Sequence, residues 1–333
     1  MRVLVIGGTR FIGPCLIHRL AAAGHEVAVF HRGRTNAALP AGVRTLLGDR
    51  HRLADHAGEF RRFGPDVVVD MIPFTEQDAR SAVATFRGMA GRLVALSSGD
   101  VYRAYGVFTR LEPGPPEPTP VKEDGPLRQA LFPYRAGATP GDAKFDYEKI
   151  LVERAVLGDT GLPATVLRLP MVYGPGDDQH RLAPYLRRML DGRPAVLLDG
   201  GLARWRCLRG YVEDVAAAVA LAVTSPAAAG RVYNVAEPTA HTEAEWVARV
   251  GAAAGWGGEV VAVPGGRLPV PFNTAQDLVV DTARIRAELG YREVVDPDDA
   301  LRETVAWERG HLPEVPVDYA QEDGLLAGLR AKP

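Results

Sequence analysis

The sequence predicts an α/β protein with a doubly wound parallel sheet and a smaller C-terminal lobe. Short apolar runs rich in Val, Ile and Leu alternate with helical patterns along the N-terminal half of the chain. This alternation is typical of parallel sheets that carry helices on both faces. The first apolar run ends in glycines and leads through a helix to a second strand within about 30 residues, which is the length of one strand–helix–strand unit.

The strands of the N-terminal half are predicted from short apolar runs that are bounded by turn residues. The first helix is predicted from Ile12, Leu16 and Leu20, which lie four residues apart, and it ends at Gly24. The predicted strands are, in chain order, 2–8, 25–30, 43–49, 66–71 and 91–98. Because parallel strands end at one edge of a sheet, we expect ligands to bind at that edge.

A glycine-rich turn, GGTRFIG (7–13), lies between the first strand and the first helix. Its position matches the dinucleotide-binding turn of a Rossmann-type fold, in which a helix N-terminus holds the pyrophosphate. Arg10 stands where the middle glycine of such a turn belongs, and we interpret this as an adaptation to a different cofactor. A tight turn without a ligand is the alternative. The residues predicted to bind the cofactor here are Gly7, Thr9, Arg10, Phe11, Ile12 and Gly13.

The end of the second strand bears on the choice between NAD and NADP. NAD-binding folds usually carry an acidic residue about 20 residues after the glycines, where it holds the ribose 2′-hydroxyl. This chain has His31, Arg32 and Arg34 there, and we predict NADP because each charge-assisted bond to a 2′-phosphate contributes about 1.5–3 kcal/mol. Solvated arginines without a ligand are the alternative. Asp49 and Arg50, after the third strand, are predicted to border the adenine.

Composition and charge argue against several other classes of protein. The chain has 333 residues and a formal net charge of −2, which gives no overall attraction to nucleic acid. No apolar run reaches the roughly 18 residues of a membrane span, and no secretory leader is visible. The two cysteines form no metal-binding pattern, so we predict free thiols, no metal site and a cytoplasmic location.

Eight segments along the chain carry a resemblance to a known family. They are GGTRFIG (7–13), LSSGDVY (96–102), PVKEDGPL (120–127), KILVE (149–153), LRLPMVYGPGD (167–177), RGYVEDVAAAV (209–219), VYNVAEP (232–238) and LGY (289–291). With them the chain resembles the extended short-chain dehydrogenase/reductase superfamily, of the NAD(P)-dependent epimerase and dehydratase type. The GGTRFIG form is similar to an atypical branch, which includes bacterial reductase-like proteins and chloroplast stem-loop RNA-binding proteins.

The resemblance also implies a division of the chain into domains. An NADP-binding Rossmann domain is expected over residues 1–168, with a long lid-like loop at 104–143 that is rich in Pro and Gly. Residues 169–333 are expected to form mainly the substrate-binding lobe. Segments at about 209–238 are expected to return from that lobe to the Rossmann core.

In the enzymes that this chain resembles, a Ser or Thr, a Tyr and a Lys form the catalytic group. The resemblance places Ser98 in the first role and Lys149, four residues before Glu153, in the last, where the lysine also holds the nicotinamide ribose of the cofactor. The position of the tyrosine, four residues before the lysine, is then Phe145, which has no proton to give. Loss of a positioned acid/base group costs about 10²–10⁴ in rate, so this departure puts the redox activity in doubt.

Other tyrosines are candidates for the missing proton donor. Tyr147 lies two residues before Lys149, and on a continuous helix it would point about 200° away from the lysine. We therefore expect Tyr147 to be a poor substitute. The tyrosines that could enter the site from the long loop or its neighbourhood are Tyr102, Tyr105 and Tyr134.

Asp100 is a second candidate for acid/base chemistry. It follows Ser98 by two positions and matches one of the two acidic positions of the sugar-nucleotide dehydratases that this chain resembles; a carboxylate at a helix N-terminus is the alternative. The C-terminal half is locally cationic, and arginine side chains there predict an anionic substrate. For the helical arginines, a solvated surface is the alternative. The predicted substrate-binding residues are Tyr102, Arg181, Arg206 and Arg209.

Two hypotheses of function remain at this point. The first is an NADP-dependent reductase- or epimerase-like enzyme acting on a small carbonyl or sugar-type substrate, which could be anionic or nucleotide-linked. The second is a non-redox cofactor-binding or RNA-binding protein on the same fold, motivated by Phe145. The net charge makes nucleic acid an unfavoured partner, and a homodimer is expected by analogy alone.

Overall fold

The computed structural model describes residues 1–35 and 37–331. Its strands are β1 Arg2–Ile6, β2 Glu26–His31, β3 Arg44–Leu47, β4 Val67–Asp70, β5 Arg92–Ser98, β6 Ala164–Leu169, β7 Met171–Tyr173, β8 Ala195–Asp199, β9 Arg209–Tyr211, β10 Val232–Asn234 and β11 Glu259–Val263. Its helices are α1 Ile12–Ala22, α2 Ala57–Phe63, α3 Glu76–Phe86, α4 Arg103–Phe108, α5 Lys149–Leu157, α6 Ala183–Leu190, α7 Gly200–Arg204, α8 Val212–Thr224, α9 Glu243–Ala254, α10 Ala283–Leu289, α11 Pro297–Arg309 and α12 Ala320–Arg330.

Within the described residues, seven strands form one parallel sheet in the order β10-β6-β5-β4-β1-β2-β3. Val3 of β1 lies opposite Val27 of β2 on one side and Val67 of β4 on the other. The chain starts near the centre of the sheet at β1 and winds outward in both directions. The strand order therefore reverses between β1 and β4, and doubly wound sheets bind their ligands at such a switch point.

The alternation of side chains along β1 explains two hydrophobic layers, one on each face of the sheet. Val3 and Val5 face the layer that contains α1 and α8, whereas Leu4 and Ile6 face the layer that contains α2, α3 and α5. All four side chains are fully buried. A strand that is covered on both faces needs apolar residues at successive positions, which is why β1 reads as a continuous apolar run.

A strand from the C-terminal half completes the sheet. β10 pairs in parallel with β6, and Val232 lies opposite Val166. Two small parallel pairs, β7 with β9 and β8 with β11, lie apart from the central sheet. Helices α6, α7 and α9 pack around the second of these pairs. The domain boundaries expected from the sequence stay a prediction.

The predicted fold class is confirmed. The five strands predicted for the N-terminal half correspond to β1–β5, and the glycine-rich turn lies between β1 and α1. In the part of the chain that the structure describes, no helix is both long and apolar enough to cross a bilayer.

Candidate active site

A cavity of about 390 Å³ opens beside the carboxyl end of β5. Ser98 ends this strand, and the 3₁₀ turn Gly99–Val101 that follows carries Asp100. The long segment between α4 and α5 closes the cavity with Tyr134 and Tyr147. Because β5 lies on the β4 side of the switch point, the cavity is at the edge where a sheet of this kind binds ligands.

Three phenols and one carboxyl group form a connected hydrogen-bond network in the wall of the cavity. Tyr147 and Tyr134 both donate their hydroxyl protons to Oδ2 of Asp100, over 3.0 and 3.1 Å. The hydroxyl of Tyr105 lies 3.0 Å from that of Tyr134. Oδ1 of Asp100 is buried and has no hydrogen-bond partner in residues 1–35 and 37–331. Because the four groups are joined by hydrogen bonds, the protonation state of one affects the others.

Burial favours the neutral forms of these groups. It raises the pKa of Asp100, although the Arg128 charge and the Tyr147 hydroxyl act in the opposite direction. Burial, and then the negative charge of Asp100, raise the pKa of Tyr147 well above its ordinary value. The same two causes raise the pKa of Tyr134. At neutral pH, Tyr147 therefore keeps its proton and is a donor rather than a phenolate.

Lys149 lies beside this network and is almost completely buried. Its Nζ donates to the main-chain oxygens of Pro73 and Leu96, over 2.9 and 2.8 Å. The same Nζ lies 5.5 Å from the centre of the Tyr147 ring. Burial lowers the pKa of this ammonium group to about 8, while the charge of Asp100 acts against the decrease. The lysine is thus held between β5, the segment after β4 and the phenol.

Helix α5 begins at Lys149, with Glu148 as its N-cap, and this overturns one expectation from the sequence. Residues 145–149 do not form one continuous helix, so the angle of about 200° between Tyr147 and Lys149 does not apply. Tyr147 precedes the helix and turns its hydroxyl toward Asp100. The expectation that Tyr147 is a poor substitute assumed a helix that already included residues 145–149. The helix starts only at Lys149, so the assumed orientation of Tyr147 is wrong.

Phe145 does not belong to the described residues that line the cavity. The guanidinium of Arg135 lies 4.8 Å from the centre of its ring, and Nε of Arg135 donates to its main-chain oxygen over 3.1 Å. The residue at the family's tyrosine position therefore packs within the loop. Tyr147, two positions further along the chain, lines the cavity instead.

The glycine-rich turn has a shape that fits a dinucleotide pyrophosphate. A Cβ on Gly13 would lie 2.3 Å from the main chain of Gly8, so only glycine lets α1 approach the turn this closely. Gly7 and Gly8 have φ angles of 83° and 78°, in the region that favours glycine. The first turn of α1, residues 12–15, is uncharged, so its positive end faces the turn without a competing carboxylate. Main-chain amides thus form a cradle for a phosphate group.

Arg10 lies in this turn, between Thr9 and Phe11, the residue that precedes α1. Its Nη1 is 3.0 Å from Oδ2 of Asp178, and both side chains are largely exposed. An exposed ion pair contributes about 0–1 kcal/mol, so a phosphate group can replace Asp178 as the partner of Arg10 at little cost. The pair leaves Arg10 available to a ligand.

The residues that follow β2 lie at the same edge of the sheet, because β2 pairs with β1. His31 ends the strand, and the exposed side chains of Arg32 and Arg34 follow it. Asp49 lies close to them, after β3. Its pKa is lowered first by a hydrogen bond from the main-chain amide of His51 and further by the charges of both arginines. The arginines therefore form a cationic edge that one carboxylate partly offsets.

Arg50 does not present a free cation to an adenine. Its guanidinium is buried and pairs with Asp70 at 2.5 Å and with Asp78. These bonds join the turn after β3 to the end of β4 and the start of α3. That Arg50 borders the adenine stays a prediction. Its charge is already used inside the protein, where leaving a carboxylate unpaired would be costly.

Three of the four predicted substrate-binding residues line two adjoining cavities, and the fourth does not. Tyr102 lines the first cavity, Arg209 lines the second, and Arg181 lines both. Arg206 lies outside the described lining of both cavities, exposed at the surface. Tyr102 is buried and donates its hydroxyl proton to Oδ1 of Asn234 over 2.6 Å. The four residues that were predicted to bind an anionic substrate therefore do not form a single cluster.

Sequence reasoning missed the meeting of Tyr147, Tyr134 and Asp100. Local sequence rules gave no signal for it, because the helix is capped by Glu148, and glutamate is not among the preferred N-cap residues. Its carboxylate accepts a hydrogen bond from the main-chain amide of Ile150 over 2.9 Å. With this cap the helix begins at Lys149, and Tyr147 lies outside it.

Comparison with known proteins adds to this geometry. The model of the NAD dependent epimerase/dehydratase family matches residues 3–236. The chain belongs to this family. It is 33% identical over 243 residues to 2'-dehydrokanamycin reductase of Streptomyces kanamyceticus, across 71% of this chain and 62% of the relative. It is 31% identical over 236 residues to a dTDP-glucose 4,6-dehydratase of Streptomyces griseus, across 68% of this chain and 61% of the relative.

The chain thus spans less than two thirds of the length of both relatives. Among solved structures, it resembles the UDP-glucose 4-epimerase of Thermus thermophilus in complex with NAD. The two are 28% identical with a TM-score of 0.67, over 93% of this chain and 99% of that chain. The family resemblance stated from the motifs is confirmed. Members of the family are reductases, epimerases and dehydratases that use nicotinamide nucleotides.

Proposed function

We propose that this protein is an NADP-dependent reductase of a small carbonyl substrate, with Tyr147 as the proton donor. The observation that carries the proposal is the Tyr147 hydroxyl, which lies in the cavity wall, bonded to Asp100, near Ser98 at the end of β5. A phenol at this place supplies the proton that Phe145 cannot. The 33% identity to a reductase supports the same reaction class.

The residues present fit a nicotinamide dinucleotide. The glycine-rich turn, residues 7–13, would hold the pyrophosphate, and Arg10 and Arg32 would hold the 2′-phosphate. Nζ of Lys149 uses two of its three protons on main-chain oxygens, so one remains for a ribose hydroxyl. When bound, the reduced cofactor would supply a hydride to the carbonyl carbon of the substrate.

Because its pKa is raised, Tyr147 is protonated at neutral pH, which is the form that a reduction needs. In a reduction, the carbonyl oxygen gains negative charge and Tyr147 donates its proton to that oxygen, which becomes a hydroxyl group. In an oxidation, Tyr147 would first have to lose its proton beside the Asp100 carboxyl group, which the raised pKa opposes. After a reduction, a protonated Asp100 can return a proton to the Tyr147 oxygen along the hydrogen bond that joins them.

Ser98 orients the same carbonyl group. Its Oγ accepts a hydrogen bond from the main-chain amide of Asp100 over 3.2 Å, which directs the O–H group away from that amide. The hydroxyl can then donate to the substrate oxygen alongside Tyr147. Two donors at one oxygen stabilise the negative charge that develops on it.

The experiment that tests the proposal has two stages. Purified protein is titrated with NADPH and NADH by fluorescence, and then assayed for NADPH oxidation with a panel of ketones, aldehydes and keto sugars. We expect NADPH to bind about 10²-fold more tightly than NADH, and carbonyl reduction to exceed alcohol oxidation at neutral pH. Equal affinities would contradict the cofactor preference. Faster alcohol oxidation would contradict the direction, and absence of NADPH binding would overturn the enzymatic proposal.

A further inference from the structure

The arginines around the cavity already have carboxylate partners inside the protein. Nη1 of Arg181 lies 2.6 Å from Oδ1 of Asp177 and also donates to a main-chain oxygen. Arg168 forms a buried pair with Glu153 at 2.7 Å. These ion pairs are short and mostly buried, so each arginine charge is already neutralised by a carboxylate before any substrate binds.

The neighbouring cavity, of about 460 Å³, repeats this pattern. Nη2 of Arg209 pairs with Glu243 at 2.5 Å, and both side chains are buried. The second oxygen of Glu243 accepts the hydroxyl proton of Tyr185 over 2.6 Å. In the described lining of the two cavities, Lys144 is the one cation without a carboxylate within 4.0 Å, and it is exposed at the rim.

The two cavities share Met171 and Arg181 in their linings, so they adjoin each other. The second cavity has an aromatic wall. The rings of Phe108 and Trp205 stack with centres 5.0 Å apart and an angle of 15° between their planes. Phe272 packs on Phe108 with ring centres 4.5 Å apart.

This wall is rigid, because Trp205 is 4% exposed and its Nε1 donates to the main-chain oxygen of Gln276 over 2.8 Å. A fixed aromatic wall favours flat or apolar groups, which lose little entropy when they pack against it. It offers no compensation for an anionic group. The two adjoining cavities together therefore combine an acid at one end with an apolar surface at the other.

We infer that the substrate is an uncharged carbonyl compound with an aromatic or extended apolar group, rather than a sugar linked to a nucleoside diphosphate. This rests on the proposed function, because it takes the carbonyl group to lie at Tyr147 and the apolar group against Phe108. A diphosphate that joined the two ends would lie near Arg181. That cation is already matched by Asp177, so burying the diphosphate would leave its negative charge uncompensated.

Calorimetric titration of the full chain saturated with NADP⁺ tests this inference without turnover. The probes are acetophenone, 4-phenyl-2-butanone and UDP-glucose. We expect the ketones to bind and UDP-glucose to show no binding up to about 1 mM. Phe108→Leu should weaken ketone binding by about 3- to 10-fold, because it removes one ring of the wall. Trp307→Leu is the matched control, because its ring stacks on His180 and His311 instead, and it should change nothing.

A second variant tests the charge argument from the opposite side. Asp177→Asn removes the partner of Arg181, and the variant should gain measurable UDP-glucose binding that weakens as salt is added. Tighter binding of UDP-glucose than of every ketone by the unaltered protein would overturn the inference, as would binding of neither. The proposed function would survive either result if NADPH still binds and Tyr147→Phe still abolishes carbonyl reduction. The substrate inference and the proposed function can therefore fail separately.

Discussion

Replacing Tyr147 by phenylalanine removes one oxygen atom from the site and keeps the ring. If this hydroxyl donates the proton, the variant loses a positioned acid, which raises the barrier by about 3–5 kcal/mol and lowers kcat by about 10²–10⁴. Asp100 also loses one of the two phenol donors to Oδ2, while its Oδ1 has no partner among the described residues. We therefore also expect the free energy of unfolding to fall by about 1–3 kcal/mol.

The assay is NADPH oxidation with the best carbonyl substrate of the panel at neutral pH, together with fluorescence titration of NADPH. The NADPH affinity should change little, because the ring beside Lys149 remains. Tyr134→Phe is the matched control: it removes the other phenol bound to the same Asp100 oxygen, and we expect it to cost less than about 10-fold in kcat. The reasoning is refuted if Tyr147→Phe retains more than about a third of the kcat, or if Phe145→Tyr raises it.

Three further outcomes are expected. Arg32→Glu should weaken NADPH binding by about 10²-fold and leave NADH binding within about threefold, so an unchanged ratio in fluorescence titrations would contradict the assigned role. Gly13→Ala should lower the free energy of unfolding by about 2–4 kcal/mol in urea, because its Cβ would lie 2.3 Å from the main chain of Gly8, whereas Gly257→Ala, with nothing within 4 Å, should have little effect. Lys149 has a folded-state pKa of about 8 against 10.5 for a free lysine, so the unfolded chain binds more protons between these values. The unfolding free energy should accordingly rise by about 1–2 kcal/mol more in the unaltered protein than in Lys149→Met between pH of about 8 and 9.5, and equal pH dependence would refute the shift.

The parallel sheet could be predicted because its signals are local. Apolar runs, turn residues and the period of the first helix are properties of neighbouring residues, and they located β1–β5 and α1 to within a few positions. The glycine-rich turn was predictable for the same reason. Close approach of a helix to a strand requires glycine at Gly13, whatever the rest of the chain does.

The active-site geometry was predicted only in part, since it depends on where one helix starts. If α5 extended back to Phe145, Tyr147 would point away from Lys149, and this was the orientation that the sequence predicted. The Glu148 side chain caps the helix and pairs with Arg128 at 3.1 Å, a contact between residues 20 positions apart in the chain. No periodicity in the sequence reports such a contact.

The sequence by itself determined the sheet, the cofactor turn, the cationic residues after β2 and the loss of the tyrosine at position 145. Only the tertiary structure decided which phenol lies beside Asp100 in the cavity wall and which arginines pair with carboxylates. Tyr147 meets Asp100, and Arg209 meets Glu243, across 47 and 34 residues of chain. Charges and protons respond to distance in space, and folding sets those distances between residues that the sequence leaves far apart.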